Sequence, residues 1–296
     1  MNVIGNKYIF LSVSGLLVLA SIVAIVVYGF KLGIDFSGGT LWQMKFADQN
    51  VNQQQLTDFF VNELKIINPV ITTENSTGSF LIRISELSQQ DHESDLNKLT
   101  QKFGAVDELQ FETIGASIGT ELRTSAITAF ILVLLGISFY IAFAFRKVSY
   151  PVSSWKYGII TLLTLFHDAI IPAGLFAFLG HIFNAEIDTN FIVAILVVMG
   201  FSVHDTIVVF DRIRENLKIV NQKFDFSTLV NNSVNQTFAR SLNTSLTLIL
   251  VLVVLYFLGS GALRYFVLTM GVGTIVGTYS SIFIASPLLT VWRKKS

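Results

Sequence analysis

Two His-Asp dipeptides lie inside apolar runs of the sequence. His204-Asp205 belongs to the stretch 200–216, GFSVHDTIVVFDRIREN, and His167-Asp168 lies near the middle of the preceding apolar run. An ionisable group at bilayer depth is costly unless it is paired or in contact with water. A carboxyl in such a place therefore indicates either an ion pathway or a buried structural ion pair.

The next apolar run begins with a polar stripe in residues 235–245, NQTFARSLNTS. Four of its residues recur at helical spacing and so share one helix face: Gln236, Arg240, Asn243 and Thr244. Asp205 lies at a similar depth, measured from the same side of the membrane. The sequence therefore predicts that Asp205 and Arg240 pair across two helices.

The chemistry that this pair predicts is proton transfer. An apolar environment disfavours the charged form of a carboxyl, and a nearby cation favours it. Movement of Arg240 toward and away from Asp205 would change the affinity of Asp205 for a proton, and water arriving from alternate sides would couple proton flow to helix movement. Sodium is an alternative coupling ion, because carboxylate, Ser, Thr and Asn oxygens suit a hard cation. A purely structural ion pair stays open, and for His167-Asp168 it is as well supported as a role in ion flow.

The same residues give little support to an enzyme. The His-Glu-x-x-His pattern of zinc proteases is absent. Neighbouring His and Asp residues on a helix point about 100° apart, which is poor geometry for a shared metal ion. Ser202 and His204 are two residues apart, and such residues do not face each other on a helix. We therefore predict no catalysis and no bound metal or cofactor, and the absence of cysteine excludes disulfides.

Long apolar runs must hold these residues in place. The chain is 52% hydrophobic and only 14% charged, whereas soluble domains are about a quarter charged. Runs of roughly 20 apolar residues are long enough to cross a bilayer. Six spans are predicted, near residues 8–28, 123–145, 156–180, 189–210, 241–258 and 264–289. The formal net charge of zero gives no electrostatic support for nucleic-acid binding.

The distribution of Lys and Arg predicts the orientation of the spans. The loops after the second and fourth spans and the C-terminal tail are basic: Arg146, Lys147 and Lys156; Arg212, Arg214, Lys218, Lys223 and Arg240; Arg293, Lys294 and Lys295. The loop between spans three and four carries Glu186 and Asp188 without a basic residue. Both termini are therefore predicted to be cytoplasmic and residues 31–122 exterior. No cleavage pattern follows the first span, which indicates an uncleaved transmembrane helix.

Residues 31–122 have the pattern of a small α+β domain. Strands are predicted near residues 40–47, 69–73, 80–84 and 106–113, and helices near 51–64 and 88–103, with Ser88 as a cap and Gly104 as a stop. The order β-α-β-β-α-β is typical of the ferredoxin-like fold. The predicted organisation is a first transmembrane helix in residues 1–30, this domain in 31–122, and a five-helix transmembrane domain in 123–296.

A glycine-rich stretch, GIDFSGGT at 33–40, joins the first span to this domain. No Gly-Lys-Ser/Thr sequence follows it, and the next element is a strand, so a phosphate-binding P-loop is not expected. The stretch instead predicts a structural turn in which Gly38 and Gly39 adopt backbone angles that are unfavourable for other residues.

Four motifs together resemble the SecF family of protein-export membrane proteins, in the SecD/SecF branch of the RND superfamily. They are GIDFSGGT at 33–40, FHD at 166–168, GFSVHDTIVVFDRIREN at 200–216 and NQTFARSLNTS at 235–245. The resemblance covers essentially the whole chain. It implies a multi-pass protein of the bacterial inner membrane with six transmembrane helices, an inserted ferredoxin-like periplasmic domain, and a SecD partner of the same architecture.

The resemblance also implies a function. Members of this family assist the SecYEG translocon, which SecA drives from the cytoplasm, and with SecD they use the proton motive force to promote preprotein export. Asp205 and Arg240 match the proton-relay pair of the family, which an Asp of SecD would complete. The family usually has Asn where this chain has His204, and an imidazole there can tune Asp205 or join the relay.

Two other functions stay open from the sequence. One is a structural subunit of the translocase that conducts no ions. The other is an RND-type exporter of lipids or small molecules, which should carry a large exterior substrate cleft; residues 31–122 form a small domain for that purpose.

Overall fold

The structure, a computed structural model, describes residues 1–74, 78–146, 151–219, 225–258 and 261–293. It divides into two compact units. We call Met1–Lys31 with Thr128–Ser296 the membrane unit and Leu32–Ile127 the sheet unit. Part of the basic-loop argument rests on residues outside the described ranges: Lys147, Lys223, Lys294 and Lys295.

The sheet unit has the predicted order of elements, with one addition. Its elements are α2 (Ile34–Ser37), β1 (Gly39–Phe46), α3 (Gln53–Asn62), β2 (Val70–Glu74), β3 (Ser79–Ile84), α4 (Gln89–Phe103) and β4 (Val106–Ile114). The sheet order is β2-β3-β1-β4 with all neighbours antiparallel, which is the ferredoxin-like arrangement. The short helix α2 was not predicted, and it occupies the first half of the glycine-rich stretch.

Alternation along β1 builds the core of the sheet unit. Trp42 and Met44 on β1 are fully buried, as are Leu56 and Phe60 on α3, because residues two apart on a strand share a face and residues four apart on a helix do the same. Asn52 starts α3 with a capping box, in which its side chain and that of Gln55 each accept a hydrogen bond from the other's backbone N–H. This core holds α3 and α4 against one face of the sheet.

The described residues contain six helices long and apolar enough to cross a membrane, as predicted. The elements are α1 (Lys7–Tyr28), α5 (Ala116–Ala144), α6 (Ser154–Phe183), α7 (Thr189–Ile219), α8 (Phe226–Leu258), α9 (Gly261–Ser280), a π turn (Ser281–Ala285) and α10 (Ser286–Val291). The last three form one continuous sixth span.

Within the membrane unit, α6, α7 and the sixth span form the centre. About half of the apolar part of each is buried, whereas α1, α5 and α8 are mostly exposed. Glycines allow close packing at two of the contacts: a Cβ on Gly277 would lie 2.9 Å from the Cβ of Ser202, and one on Gly174 would lie 2.4 Å from the Cα of Ser21. Small residues at such contacts let transmembrane backbones approach closely.

Three helices extend beyond the apolar runs from which their spans were predicted. α7 continues to Ile219, past the predicted span end at 210; α8 begins at Phe226, before the span start at 241; and α5 begins at Ala116, before the span start at 123. The apolar pattern marks only the part of a helix that lies in hydrocarbon, whereas backbone hydrogen bonding continues into polar sequence. The boundaries read from hydropathy were therefore too short.

Candidate functional site

Asp205 lies on the buried face of α7, and its neighbour His204 lies on the exposed face. Asp205 is 5% exposed, whereas His204 is exposed. The separation follows from helix geometry, because successive residues are about 100° apart around the axis. The dipeptide therefore presents one ionisable group to the inside of the bundle and one to its surroundings.

The hydrogen-bond partner of Asp205 is a hydroxyl group on the sixth span. Ser281 Oγ donates to Asp205 Oδ2 at 2.6 Å. The predicted pair with Arg240 is not formed: among the described residues no Lys, Arg or His lies within ion-pair distance of Asp205, and Arg240 is exposed on α8. The next residue, Ser241, is the buried one. The pattern predicted which residues of α8 share a face, but not the direction in which that face points.

The polar stripe of α8 shares one exposed face. All four predicted residues lie on it: Gln236, Arg240, Asn243 and Thr244. Thr244 Oγ1 donates to the Arg240 carbonyl at 2.9 Å, which satisfies the hydroxyl locally. A polar face on a membrane helix is unfavourable against lipid, so it requires water or a polar partner.

Gln236 has a structural role that the sequence did not indicate. Its Oε1 accepts from Arg212 Nε at 2.6 Å and from Asn216 Nδ2 at 3.0 Å. Asn216 Nδ2 also donates to Ser233 Oγ at 2.8 Å. These bonds join the polar extensions of α7 and α8, so Gln236 fixes the packing of the two helices that carry Asp205 and Arg240.

The second dipeptide, His167-Asp168 on α6, is enclosed. Asp168 is 0% and His167 5% exposed, and His167 Nδ1 lies 2.9 Å from Asp168 Oδ1. Asp168 Oδ2 accepts from Ser202 Oγ on α7 and from Ser280 Oγ on α9, the latter at 2.7 Å. The hydroxyl of Ser202 is thus taken up by Asp168. The imidazole Nε2 of His167 is buried without a hydrogen-bond partner among the described residues.

A π turn lies directly after the serine that contacts Asp168. It spans Ser281–Ala285, and Pro287 follows as an early residue of α10. Pro287 has no N–H and its ring would crowd the carbonyl four residues earlier in an α-helix. The wider π turn relieves that crowding, and Ser286 Oγ donates to the Ser281 carbonyl at 3.2 Å. Pro287 therefore accounts for an irregular backbone at the level of Asp205.

Gly38 and Gly39 both occupy conformations with positive φ, at 73° and 120°. A Cβ on Gly38 would lie 2.8 Å from the Cα of Ala116, and one on Gly39 would lie 2.7 Å from the carbonyl oxygen of Ile84. Neither position therefore tolerates a side chain, on grounds of both backbone angle and space. The two glycines connect α2 to β1 and hold the loop against the start of α5.

Comparisons with known proteins agree with the arrangement of these motifs. The family model "Protein export membrane protein SecD/SecF, C-terminal" matches residues 95–295, and "SecD/SecF GG Motif" matches residues 23–49, which include Gly38 and Gly39. The chain belongs to the SecD/SecF family of protein export membrane proteins. The resemblance expected from the four motifs is confirmed.

Relatives within the SecD/SecF family align over almost the whole chain. "Protein translocase subunit SecF" of Thermobaculum terrenum is 40% identical and covers 100% of this chain and 95% of that protein. The protein of the same name from Anaerolinea thermophila is 34% identical, with 99% and 94% covered. "Protein translocase subunit SecDF" of Thermus thermophilus is 37% identical over 94% of this chain but only 37% of its own length.

Solved structures of SecDF show the same fold. The crystal structure of SecDF from Thermus thermophilus, described as a translocon-associated membrane protein, superposes with a TM-score of 0.85 at 34% identity. SecDF in a super-membrane-facing form gives a TM-score of 0.69 at 35% identity. Both alignments cover 99% of this chain and 38% of the SecDF chain.

The sequence analysis did not predict that serine hydroxyls contact Asp168 and Asp205. Ser280 and Ser281 contact Asp168 and Asp205, the buried carboxyls of the described membrane unit, and Ser202 supplies a further donor to Asp168. Serine is common in transmembrane helices, where its hydroxyl usually bonds to the preceding turn. The only available signal was the adjacency of two serines a few residues before a proline in an apolar span.

Proposed function

We propose that this chain is a SecF-type accessory subunit of the bacterial Sec preprotein translocase. Support comes from the full-length alignment with proteins named as translocase subunits. A longer relative of the same family is named SecDF, which supports a SecD-type protein as a partner of this chain. In this proposal the chain lies in the inner membrane with both termini in the cytoplasm and the sheet unit in the periplasm. SecYEG and the preprotein are further partners, and SecA acts only indirectly.

We further propose that Asp205 binds and releases the coupling proton. The supporting observation is that the buried carboxyl of Asp205 has one side-chain hydrogen-bond partner among the described residues, the hydroxyl of Ser281. One neutral hydrogen bond is little compensation for a charge at bilayer depth. A group that alternates between neutral and charged forms needs such an environment, together with a cation that approaches in one state only.

Arg240 is the cation in this proposal. Its exposed position on α8 leaves the guanidinium available to an acid of a SecD-type partner or, after a shift of α8, to Asp205. His204 is exposed beside Asp205, where its imidazole can exchange protons with water or with the partner. Asn243 and Thr244 supply polar atoms along the same route, and no organic cofactor is required.

The test is preprotein export into vesicles that contain the chain, its SecD-type partner and the translocon. A proton gradient and a sodium gradient are imposed separately. We expect the proton gradient to stimulate export with wild type, and we expect Asp205→Asn to reduce export to the rate without a gradient while the complex still assembles. Asp211→Asn is the matched control, because Asp211 lies on the same helix but pairs with Arg214 at the polar end.

The outcomes separate the candidate functions. Stimulation by sodium alone would replace the proton with sodium in the proposal. Full stimulation of the Asp205→Asn complex would leave a structural subunit that conducts no ions.

A further inference from the structure

One short segment of the sixth span contacts both buried carboxyls of the described membrane unit, Asp168 and Asp205. Ser280 Oγ donates to Asp168 on α6 at 2.7 Å, and Ser281 Oγ donates to Asp205 on α7 at 2.6 Å. Adjacent helical residues point about 100° apart, which lets two consecutive hydroxyls reach two different helices. The acid that carries the proposed relay and a second, enclosed acid are therefore joined through two neighbouring residues.

The enclosed cluster around Asp168 exceeds what packing requires. His167, Asp168, Ser202 and Ser280 are all at least nine-tenths buried, and His167 Nε2 has no partner among the described residues. Burial of polar groups without full pairing costs free energy, and helices can be packed by small apolar residues alone. A cluster that retains an unsatisfied nitrogen beside a carboxyl is more consistent with a group that gains and loses a proton.

Each bridging hydroxyl also has a second acceptor. Ser280 Oγ lies 3.0 Å from the Gly277 carbonyl, and Ser281 Oγ lies 2.9 Å from the Thr278 carbonyl. A hydroxyl can donate to a carboxylate, but after the carboxyl is protonated it can accept from the acid and donate to the backbone instead. Protonation of either acid would thus change a hydrogen bond to the turn that precedes the π turn, where the backbone is already irregular.

The ionisable groups around Asp168 are few. α6 packs against α1, α7, α9, the π turn and α10, the last of which carries no ionisable side chain. Those elements and α6 itself carry ionisable side chains mostly toward their ends: Lys7, Tyr8 and Tyr28 on α1; Lys156, Tyr157 and His181 on α6; Asp211, Arg212, Arg214, Glu215 and Lys218 on α7; Arg264, Tyr265 and Tyr279 on α9. Among the described residues, those toward the middle of these elements are the two His-Asp dipeptides and Tyr279, whose hydroxyl donates to the Phe10 carbonyl on α1 at 3.3 Å. Asp205 is therefore the acid to which Asp168 can be coupled.

We infer that Asp168 is a second proton-binding carboxyl and that the Ser280-Ser281 hydroxyls couple its protonation to that of Asp205. This inference rests on the proposed role of Asp205 as the relay acid. It assigns a positioning role to Ser280 and Ser281, which act through the two carboxyls. The proton transferred is bound by one carboxylate oxygen, and the only other change is the exchange of hydrogen-bond acceptors by the serines.

The test is infrared difference spectroscopy of carboxyl C=O bands as a function of pH, on the complex with its SecD-type partner in lipid vesicles. Asp168→Asn should remove one titrating band and shift the titration midpoint of the Asp205 band by about one pH unit, as expected of interacting sites. In the Ser280→Ala/Ser281→Ala background both bands should remain, but Asp168→Asn should no longer shift the Asp205 band. Thr161→Ala is the control, because among the described residues its buried hydroxyl bonds only to the Tyr157 carbonyl.

Two results would overturn the inference: Asp168→Asn removes no titrating band, or its effect on Asp205 persists without the two serine hydroxyls. If the double alanine variant does not assemble, Ser280→Ala and Ser281→Ala are compared singly, because each interrupts one end of the bridge. The readout is separate from export. Loss of band coupling with a normal Asp205→Asn export defect would reject the bridge alone, whereas an Asp205→Asn complex that exports normally would reject the relay.

Discussion

The two His-Asp dipeptides have the same composition but opposite surroundings. On α6 both side chains point into the bundle, touch each other and have partners from α7 and α9. On α7 only Asp205 points inward, to one hydroxyl of the sixth span, while His204 is exposed. The chemistry of a buried acid is thus set by the helix face it occupies and the donors it meets, not by the dipeptide.

This difference in surroundings predicts different roles for Asp168 and Asp205. Asp168 is completely surrounded by groups of its own chain, so its environment changes only if helices α6, α7 and α9 move relative to one another. Asp205 has an exposed histidine as its neighbour and a polar stripe on the adjacent α8, so groups from outside the chain can alter its environment. We expect substitutions at the first site to affect stability most, and those at the second to affect ion coupling.

The same substitution at the two histidines should have very different effects on stability. His167→Ala removes a buried ring and a partner of a buried carboxyl, and such losses cost about 3 kcal/mol or more. His204→Ala removes an exposed ring, for which about 0.5 kcal/mol or less is expected. The measurement is thermal unfolding of the two purified variants in the same detergent. Equal losses of stability would contradict the contrast between an enclosed and an open site.

Much of this fold was predictable from patterns along the chain. Apolar runs gave the six spans, and alternation in β1 together with helical spacing in α3 gave the sheet unit. Ser88 does cap α4, accepting from the Asp91 N–H, and Gly104 does follow its last residue with a φ of 81°. These features depend on neighbours in sequence, which is why local reasoning reached them.

The arrangement of the site was less predictable. The two acids and the polar stripe stood out because charge is rare in apolar sequence, but pairing Asp205 with Arg240 required the rotation of α8 about its axis. α8 packs against α7 and α9, and its rotation is fixed by which of its residues are buried, among them Thr237, Ser241 and Ser245. The contacts of Ser280 and Ser281 depend on the π turn and on close helix packing, neither of which leaves a periodic signal.

Close packing at Gly277 offers a second way to weaken the enclosed site alone. Alanine there would place its Cβ 2.9 Å from the Cβ and 3.3 Å from the Oγ of Ser202, a donor to Asp168. Because the obstructing atoms lie next to the backbone of α7, the helices must separate slightly, and overpacking of this kind costs about 1–3 kcal/mol. The measurement is again thermal unfolding, with Gly200→Ala as control.

Gly200 is a suitable control because a Cβ there meets nothing within 4 Å. Alanine is the better helix former by about 1 kcal/mol, so Gly200→Ala should be neutral or mildly stabilising. The infrared band of Asp168 should change in the Gly277→Ala variant, whereas that of Asp205 should change less. A larger change at Asp205 would mean that the two acids do not differ in their dependence on helix packing.

A third carboxyl, that of Asp225 before α8, is exposed to solvent and can be compared with the two buried ones. It accepts from the N–H of Ser227 at 3.3 Å and of Thr228 at 3.0 Å, and from Thr228 Oγ1 at 2.8 Å. The hydrogen bond from the Thr228 hydroxyl is the largest cause of a lowered pKa of Asp225, and these backbone N–H groups and Arg293 lower it further. Asp225 has several hydrogen-bond donors, but it is also exposed to solvent. Its substitution should therefore reduce stability the least among the three carboxyls.

Two substitutions separate the charge of Asp225 from its capping role. Asp225→Ala should destabilise the first turn of α8 by about 1 kcal/mol, as for other helix caps, whereas Asp225→Asn should retain the cap. Because the folded pKa is below the ordinary value of about 3.9, the ionised form contributes fully above that pH and its contribution is lost as the pH falls through the lower, folded pKa. Amide hydrogen exchange at the start of α8, corrected for the intrinsic exchange rate, measures the stability of this turn as a function of pH. Protection in wild type should fall toward that of the alanine variant as the pH falls. Protection in the asparagine variant should stay constant. A pH-independent wild type would show that the carboxylate charge of Asp225 adds nothing to its hydrogen bonds.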